Sequence, residues 1–199
     1  MARPDDSARG PIRGTVPSGT LVLVVGPSGA GKDSLIDAAR RCFERESRIC
    51  FPRRWITRRE DAGGERHIAV PDVDFDRLQA RGAFALSRRA HGFGYGIPAE
   101  IVADLEAGCA VVANVSRGVI GGARRRFPNL AICLVTASNG VLARRMALRG
   151  RESANESEGR MARAAAVPVE GGDVIKIVND GALDDAVEQF IGLLQGLLR

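Results

Sequence analysis

Apolar positions along this chain come in two alternating kinds of stretch. Short stretches at 21–25, 110–114, 130–135 and 174–178, apolar apart from Asn114 and Lys176, have the length and the β-branched content of strands. Between them the apolar residues recur every three to four positions. Leu35, Ile36, Ala39, Cys42 and Phe43 share one face of a helix predicted over 32–45. Similar spacing predicts helices over 98–107, opened by Pro98, over 119–126, from Ser138 onward, and over 183–198. This alternation predicts an α/β fold, a parallel sheet covered by helices. A further strand is expected over 49–57. Residues 58–97 break the rhythm with Gly63-Gly64, a short apolar run at 68–70, a short helix near 72–81, a run at 84–87 and a glycine-rich stretch at 92–96. That pattern predicts a small insertion built around a second ligand. The Arg-, Ser- and Glu-containing stretch 149–160 has little apolar face of its own, which suits a mobile lid over 145–163, with its helix running to about Ala166.

Candidate chemistry sits directly behind the first apolar run. Gly26-Pro27-Ser28-Gly29-Ala30-Gly31-Lys32-Asp33 follows a strand and precedes a helix. In that context a glycine-rich turn lets backbone N–H groups converge on phosphate oxygens at the positive end of a helix. A P-loop NTPase-type sheet that binds ATP through residues 26–34, Ser34 included, is therefore expected. Lys32 supplies the point charge for the β- and γ-phosphates. Lys and Arg together number 29, and only Lys32 and Lys176 are lysine. A planar guanidinium would not fit the tight loop as a compact ammonium does. The motif ordinarily places Ser or Thr after its lysine to bind Mg²⁺, but here Asp33 stands there, with Ser34 next. A carboxylate beside a polyphosphate is repelled unless a cation stands between them, which predicts Asp33 on the Mg²⁺, directly or through water. The alternative, a carboxylate satisfying helix N-terminal amides, needs no metal.

Composition narrows the function classes. With 199 residues the chain suits one domain, 19–199, behind a flexible tail, 1–18, whose charged, proline and glycine residues contain no apolar core for a signal peptide. The longest apolar runs are of strand length, so no membrane partner is expected. Cys42, Cys50, Cys109 and Cys133 lack metal-ligand spacing and fall in apolar patterns, as expected of buried, reduced thiols in a cytoplasmic protein. A net charge of +5 invites a nucleic-acid partner, but the arginines are dispersed, and one Trp and one Tyr are too few to stack on bases. The positive charge suits ATP and a second phosphorylated small molecule instead.

From the loop onward the chain resembles the guanylate kinases and their relatives, the ribose 1,5-bisphosphate phosphokinases of phosphonate catabolism. Guanylate kinases follow the loop with a Thr-Thr-Arg segment that grips the acceptor's phosphate and a later Tyr-Gly-Thr/Ser segment. Ile56-Thr57-Arg58 and Tyr95-Gly96-Ile97 stand in these places. Their lid carries an Arg, four residues on an Arg before Gly, and a third Arg eleven further; Arg145, Arg149-Gly150 and Arg160 repeat that spacing. The resemblance implies that Arg58 and Tyr95 bind phosphate, with His67 where a phosphate-binding Tyr would be, and that either Arg54 or Arg59 completes the grip. It implies catalytic roles for Lys32, Arg145, Arg149 and Arg160, the arginines closing over the transferring phosphoryl group and neutralising its charge.

Departures from the guanylate kinase pattern point to the acceptor. Leu86 of Gly82-Ala83-Phe84-Ala85-Leu86 replaces a base-pairing Glu, and Ile97 replaces the base-reading Thr or Ser. Asn114 and Ser116 replace an Asp-x-Asp segment, which leaves Asp33 as the carboxylate nearest the cation. The Gly-Lys-Asp-Ser loop ending and the segment 61–69 resemble the ribose 1,5-bisphosphate enzymes. A pocket that binds phosphates and ignores a base suits a sugar bisphosphate. The implied reaction moves the γ-phosphoryl of ATP to the 1-phosphate of ribose 1,5-bisphosphate, giving 5-phospho-α-D-ribose 1-diphosphate and ADP. Competing expectations are a guanylate kinase with a rearranged base pocket and a non-catalytic binding module of guanylate kinase type. Such modules usually lose the loop lysine or the lid arginines, all present here.

Overall fold

Every residue of the first apolar run is buried, because helices cover both faces of the sheet it centres. This computed structural model describes residues 18–59, 66–90, 92–149 and 168–199. The chain runs β1 (Leu21–Val25), α1 (Lys32–Cys42), β2 (Ile49–Cys50), β3 (Trp55–Ile56), β4 (Ile68–Ala69), α2 (Asp72–Ala80), β5 (Phe84–Ala90) and β6 (Phe93–Pro98). It continues with α3 (Ile101–Glu106), β7 (Ala110–Asn114), a 3-10 turn (Arg117–Val119), α4 (Ile120–Arg126), β8 (Leu130–Thr136), α5 (Asn139–Arg149), β9 (Val174–Val178) and α6 (Leu183–Gly196).

The main sheet has the order β2-β7-β1-β8-β9 and every pairing in it is parallel. Alternation along β1 divides the core into two layers. Val22 and Val24 join Leu35, Ala39, Phe190 and Leu194 of α1 and α6, while Leu21, Leu23 and Val25 join Ile101, Leu105, Ile120 and Ala123 of α3 and α4. Parallel strands end together at one edge, so the β1–α1 loop, Asn114 and the 3-10 turn all emerge on the same side.

A second sheet, β4-β3-β6-β5, stands beside the first. Its β5–β6 hairpin changes register between Phe84 and Leu86, and this irregularity sends neighbouring side chains to different layers. Phe84 packs with Phe75, Val70 and Trp55, whereas Ala85, Leu86 and Ile97 enter the core against β1 and α3.

Four sequence expectations change. The strand expected over 49–57 is two short pieces in two different sheets, since Pro52 between them has no N–H for a ladder. The glycine-rich stretch at 92–96 is mostly strand, because Gly94 and Gly96 leave room for the Phe75 and Phe84 rings, 2.8 and 2.5 Å from where a Cβ would lie. Pro98 closes that strand, and the following helix starts at Ile101. Of the four cysteines only Cys133 is buried; Cys50 and Cys109 are half-buried and Cys42 is exposed at the end of α1. The tail up to residue 17, and the lid helix beyond Arg149, lie outside the described residues.

Candidate active site

The loop 26–31 leaves β1 at the strand edge and delivers Gly31 with φ 96° as the residue before α1. This left-handed conformation suits glycine. A side chain there would also strike the amide of Asn179. Asn179, at the end of β9, is 1% exposed and donates from Nδ2 to the Ala30 carbonyl at 2.8 Å. Its backbone N–H bonds Thr136 O at 2.8 Å, so β8 and β9 together brace the loop. The Lys32 ammonium donates to the carbonyls of Gly26 and Pro27 at 3.0 and 2.9 Å, folded back along the loop. Asp33 lies in the first turn of α1, and the Asn114 amide donates to its Oδ1 at 2.7 Å. Asn114 therefore aims the carboxylate from the neighbouring β7.

Helix α5 packs onto the same loop. Leu142 O and Met146 Cγ lie 3.5 Å from where a Cβ of Gly29 would stand. The α5 N-terminus is capped by Asp180, whose carboxylate accepts from the Ser138 N–H at 2.5 Å. From the middle of α5 the Arg145 guanidinium donates to Asn179 O at 3.0 Å and to its Oδ1 at 3.4 Å. One buried amide thus touches the phosphate loop on one side and an arginine on the other.

Between the loop and the second sheet lies a cleft of about 620 Å³. Gly26, Pro27, Ser28 and Lys32 form one wall, and Leu86, Arg88, Tyr95 and Ile97 of the β5–β6 hairpin form the opposite one. Arg54 and the turn at Arg117 and Gly118 complete it, with Met146 of α5 at the rim. Cross-strand pairing sets Arg88 against Tyr95 and Leu86 against Ile97. The Arg54 guanidinium lies over the Tyr95 ring at 5.4 Å. Burial pushes the Arg117 guanidinium below its usual range, which marks a cation partly withdrawn from water. Lys32, Arg54, Arg88 and Arg117 give this lining four cations and, among the described residues, no carboxylate.

No family model matches the chain. It is 51% identical over 177 residues to a protein of Acidiphilium cryptum named ribose 1,5-bisphosphate phosphokinase, across 89% of this chain and 93% of that one. A protein of the same name from Burkholderia pseudomallei is 45% identical over 181 residues, across 90% and 97%. The chain belongs to the ribose 1,5-bisphosphate phosphokinase family. Members of this family are kinases by name, so this chain is an enzyme of that class. The solved guanylate kinase of Anaplasma phagocytophilum shares the fold, with a TM-score of 0.63, 17% identity and coverage of 89% and 85% of the two chains.

Within this kinase fold the sequence-derived candidates separate. Gly26, Pro27, Ser28, Lys32 and Tyr95 line the cleft, and Gly29, Ala30, Gly31, Asp33 and Ser34 complete the loop and the first turn behind it. Of the two arginines left open, Arg54 is on the cleft wall, whereas Arg59 is exposed and absent from it. Arg58 is half-buried and is also absent from that lining. His67 is 2% exposed, with Nε2 2.9 Å from the Arg58 carbonyl, so it meets that segment through the backbone. Arg145 reaches Asn179. Arg149 ends α5, its side chain lies outside the described residues, and so does all of Arg160. Sequence reasoning missed Arg88, Arg117 and Asn179. Only the last carried a signal, a polar residue ending an apolar strand run.

Proposed function

We propose that the protein transfers the γ-phosphoryl group of ATP to the 1-phosphate of ribose 1,5-bisphosphate, giving 5-phospho-α-D-ribose 1-diphosphate and ADP. The observation that carries this reading is the Leu86–Ile97 pair, 6% and 2% exposed, lying in the cleft where a guanine edge would need polar partners. Each buried polar group left unpaired costs about 1–3 kcal/mol. Two or three of them would penalise GMP by roughly 3–6 kcal/mol, a factor of about 10² to 10⁴ in specificity. A sugar bisphosphate carries no base, and its phosphates suit the cationic walls.

The acceptor oxygen is already ionised, so the reaction requires no general base. It bonds to the γ-phosphorus while the bond to the β,γ-bridging oxygen breaks, and ADP leaves with that oxygen. In this reading Lys32 leaves the Gly26 and Pro27 carbonyls for the β- and γ-phosphates, while the backbone of residues 26–34 cradles the nucleotide. Tyr95, Arg58 and His67 serve the acceptor segment, the last through the Arg58 backbone, and of Arg54 and Arg59, either of which could complete the grip, Arg54 lines the cleft. Arg145, Arg149 and Arg160 belong to a lid over 145–163 that closes on the transferring group. Among the described residues no group of three or more His, Cys, Asp or Glu could hold a metal, which fits Mg²⁺ arriving on nucleotide phosphates with one protein carboxylate, Asp33. Mg²⁺ there would neutralise phosphate charge. No helix among the described residues is long and apolar enough to cross a membrane, and reduced thiols with ATP as cosubstrate suit a cytoplasmic reaction.

The test is ADP formation from ATP with each acceptor. Ribose 1,5-bisphosphate is expected to be used and GMP to be poor or silent. A specificity constant for GMP equal to or above that for the bisphosphate would transfer the assignment to guanylate kinase.

A further inference from the structure

Away from the cleft, two cysteines far apart in the chain meet on one carbonyl. Cys50 ends β2, Cys109 stands one residue ahead of β7, and these neighbouring strands pair in parallel with Ile49 opposite Ala110 and Cys50 opposite Val111. Alternation along β7 puts Cys109 on the same face as Val111, the face that Cys50 also packs on. Both thiols donate to the Ser47 carbonyl, at 4.0 Å from Cys50 Sγ and 3.8 Å from Cys109 Sγ. The Cys109 thiol also hydrogen-bonds Cys50. Both are half-buried free thiols, within reach of a small reagent. The backbone at Cys109 is firmly held: its N–H bonds Asp104 O at 2.9 Å, and Gly19 approaches so closely that a Cβ there would lie 2.2 Å from Cys109 O. Cys50 stands opposite it at the sheet edge, at the end of a two-residue strand.

Residues 51–108 between the two cysteines carry β3, β4, α2, β5, β6 and α3, and with them the hairpin wall of the cleft. We propose that Cys50 and Cys109 form a redox modification site, a dithiol that a low-molecular-weight disulfide such as oxidised glutathione converts to a protein disulfide at the neck of this segment. One thiolate attacks the reagent's S–S bond and releases one glutathione; the other attacks the mixed disulfide so formed and releases the second. Two protein S–H bonds are lost and one protein S–S bond forms. The two electrons and two protons end on two glutathione thiols. The bridge runs diagonally between neighbouring strands and ties the edge strand β2 to the start of β7. A cross-link that closes so long a loop stabilises mainly by restricting the unfolded chain.

Peptide mapping of the native protein after treatment with oxidised glutathione tests this. The expected product is one linked pair, Cys50 with Cys109, two hydrogens lighter than the reduced peptides and separated again by dithiothreitol. The linked protein should melt roughly 5 °C or more above the reduced one. Linking should be slow at pH 7 and accelerate toward pH 9, because the thiolate is the attacking form and burial, with Asp104 and Cys109 adding to it, raises the Cys50 thiol to about 11. Cys50→Ser and Cys109→Ser should each carry at most a mixed disulfide, with no cross-link and no thermal gain, whereas Cys42→Ser should link as wild type does. Mixed disulfides that persist on wild type without a link, a link through Cys42 or Cys133, or a linked protein that melts no higher than the reduced one would overturn the site.

Discussion

Lys32 and Asn179 show how single side chains hold this loop from opposite sides. Lys32 is folded along the loop backbone, so Lys32→Met should leave the fold intact and lower turnover by about 10²-fold or more. Circular dichroism with steady-state assays checks this, and retention of a tenth of wild-type turnover would remove Lys32 from the chemistry. Asn179→Ala withdraws the donor from the buried Ala30 carbonyl and the Oδ1 acceptor from Arg145, whose bond to the backbone carbonyl of residue 179 stays. It should destabilise the protein by about 1–3 kcal/mol in urea titrations and lower turnover as well. Asp33→Asn separates the two readings of that residue. A metal-side carboxylate raises the Mg²⁺ concentration needed for half-maximal rate, whereas a helix N-terminal role changes stability by only about 0.5–1 kcal/mol and leaves the Mg²⁺ titration alone.

At the scale of elements, the β5–β6 hairpin works as a two-sided plate. One face packs rings: Phe84 stacks on Phe75 at 4.8 Å between centroids and meets Trp55 edge-on at 6.2 Å. The other face presents Leu86, Arg88, Tyr95 and Ile97 to the cleft. Gly96 belongs to the packed face, with the Phe84 ring 2.5 Å from the position of a Cβ. Gly96→Ala should therefore cost about 1–3 kcal/mol through overpacking. Gly118→Ala, which meets only the end of Arg88, should stay within about 0.5 kcal/mol of wild type. Urea midpoints for the two variants distinguish a glycine kept for the core from one kept for the site; equal losses in both would contradict the distinction.

Over the whole molecule, thiol accessibility and acid stability report how the layers are arranged. Burial pushes the Cys133 thiol up to about 12, and burial together with Asp104 and Cys109 pushes Cys50 up to about 11. An alkylating reagent at pH 8 should therefore modify exposed Cys42 in the native protein and reach Cys133 only after unfolding. Peptide mass spectrometry checks the order, and equal labelling rates would contradict the core assignment. The Arg124 guanidinium holds Asp173 below its ordinary 3.8, and Arg89 does the same for Asp72. Carboxyl groups with depressed folded values stabilise the protein above 3.8, and that contribution disappears as pH falls through the lower folded values. Melting temperature should be flat in this respect above pH 5 and fall below pH 4. Asp173→Asn should reduce that acid-side slope.

The order of layers and the phosphate loop were legible in the sequence because both are local. A short apolar run rich in β-branched residues reads as a covered strand, and a glycine-rich turn between strand and helix brings its own N–H groups and Lys32 together without help from distant residues. What could not be read depended on residues far apart in the chain. The stretch at 92–96 became strand only because the Phe75 and Phe84 rings fill the space its glycines leave. The strand expected over 49–57 was divided between two sheets at Pro52. Arg54, Arg88 and Arg117 line one cleft only because the hairpin faces the turn that follows β7, and Asn179 reaches Ala30 across 149 residues of chain. Periodicity records which face of an element is buried and not which elements meet, so the loop was written in the sequence while its cationic counterpart was decided by tertiary packing.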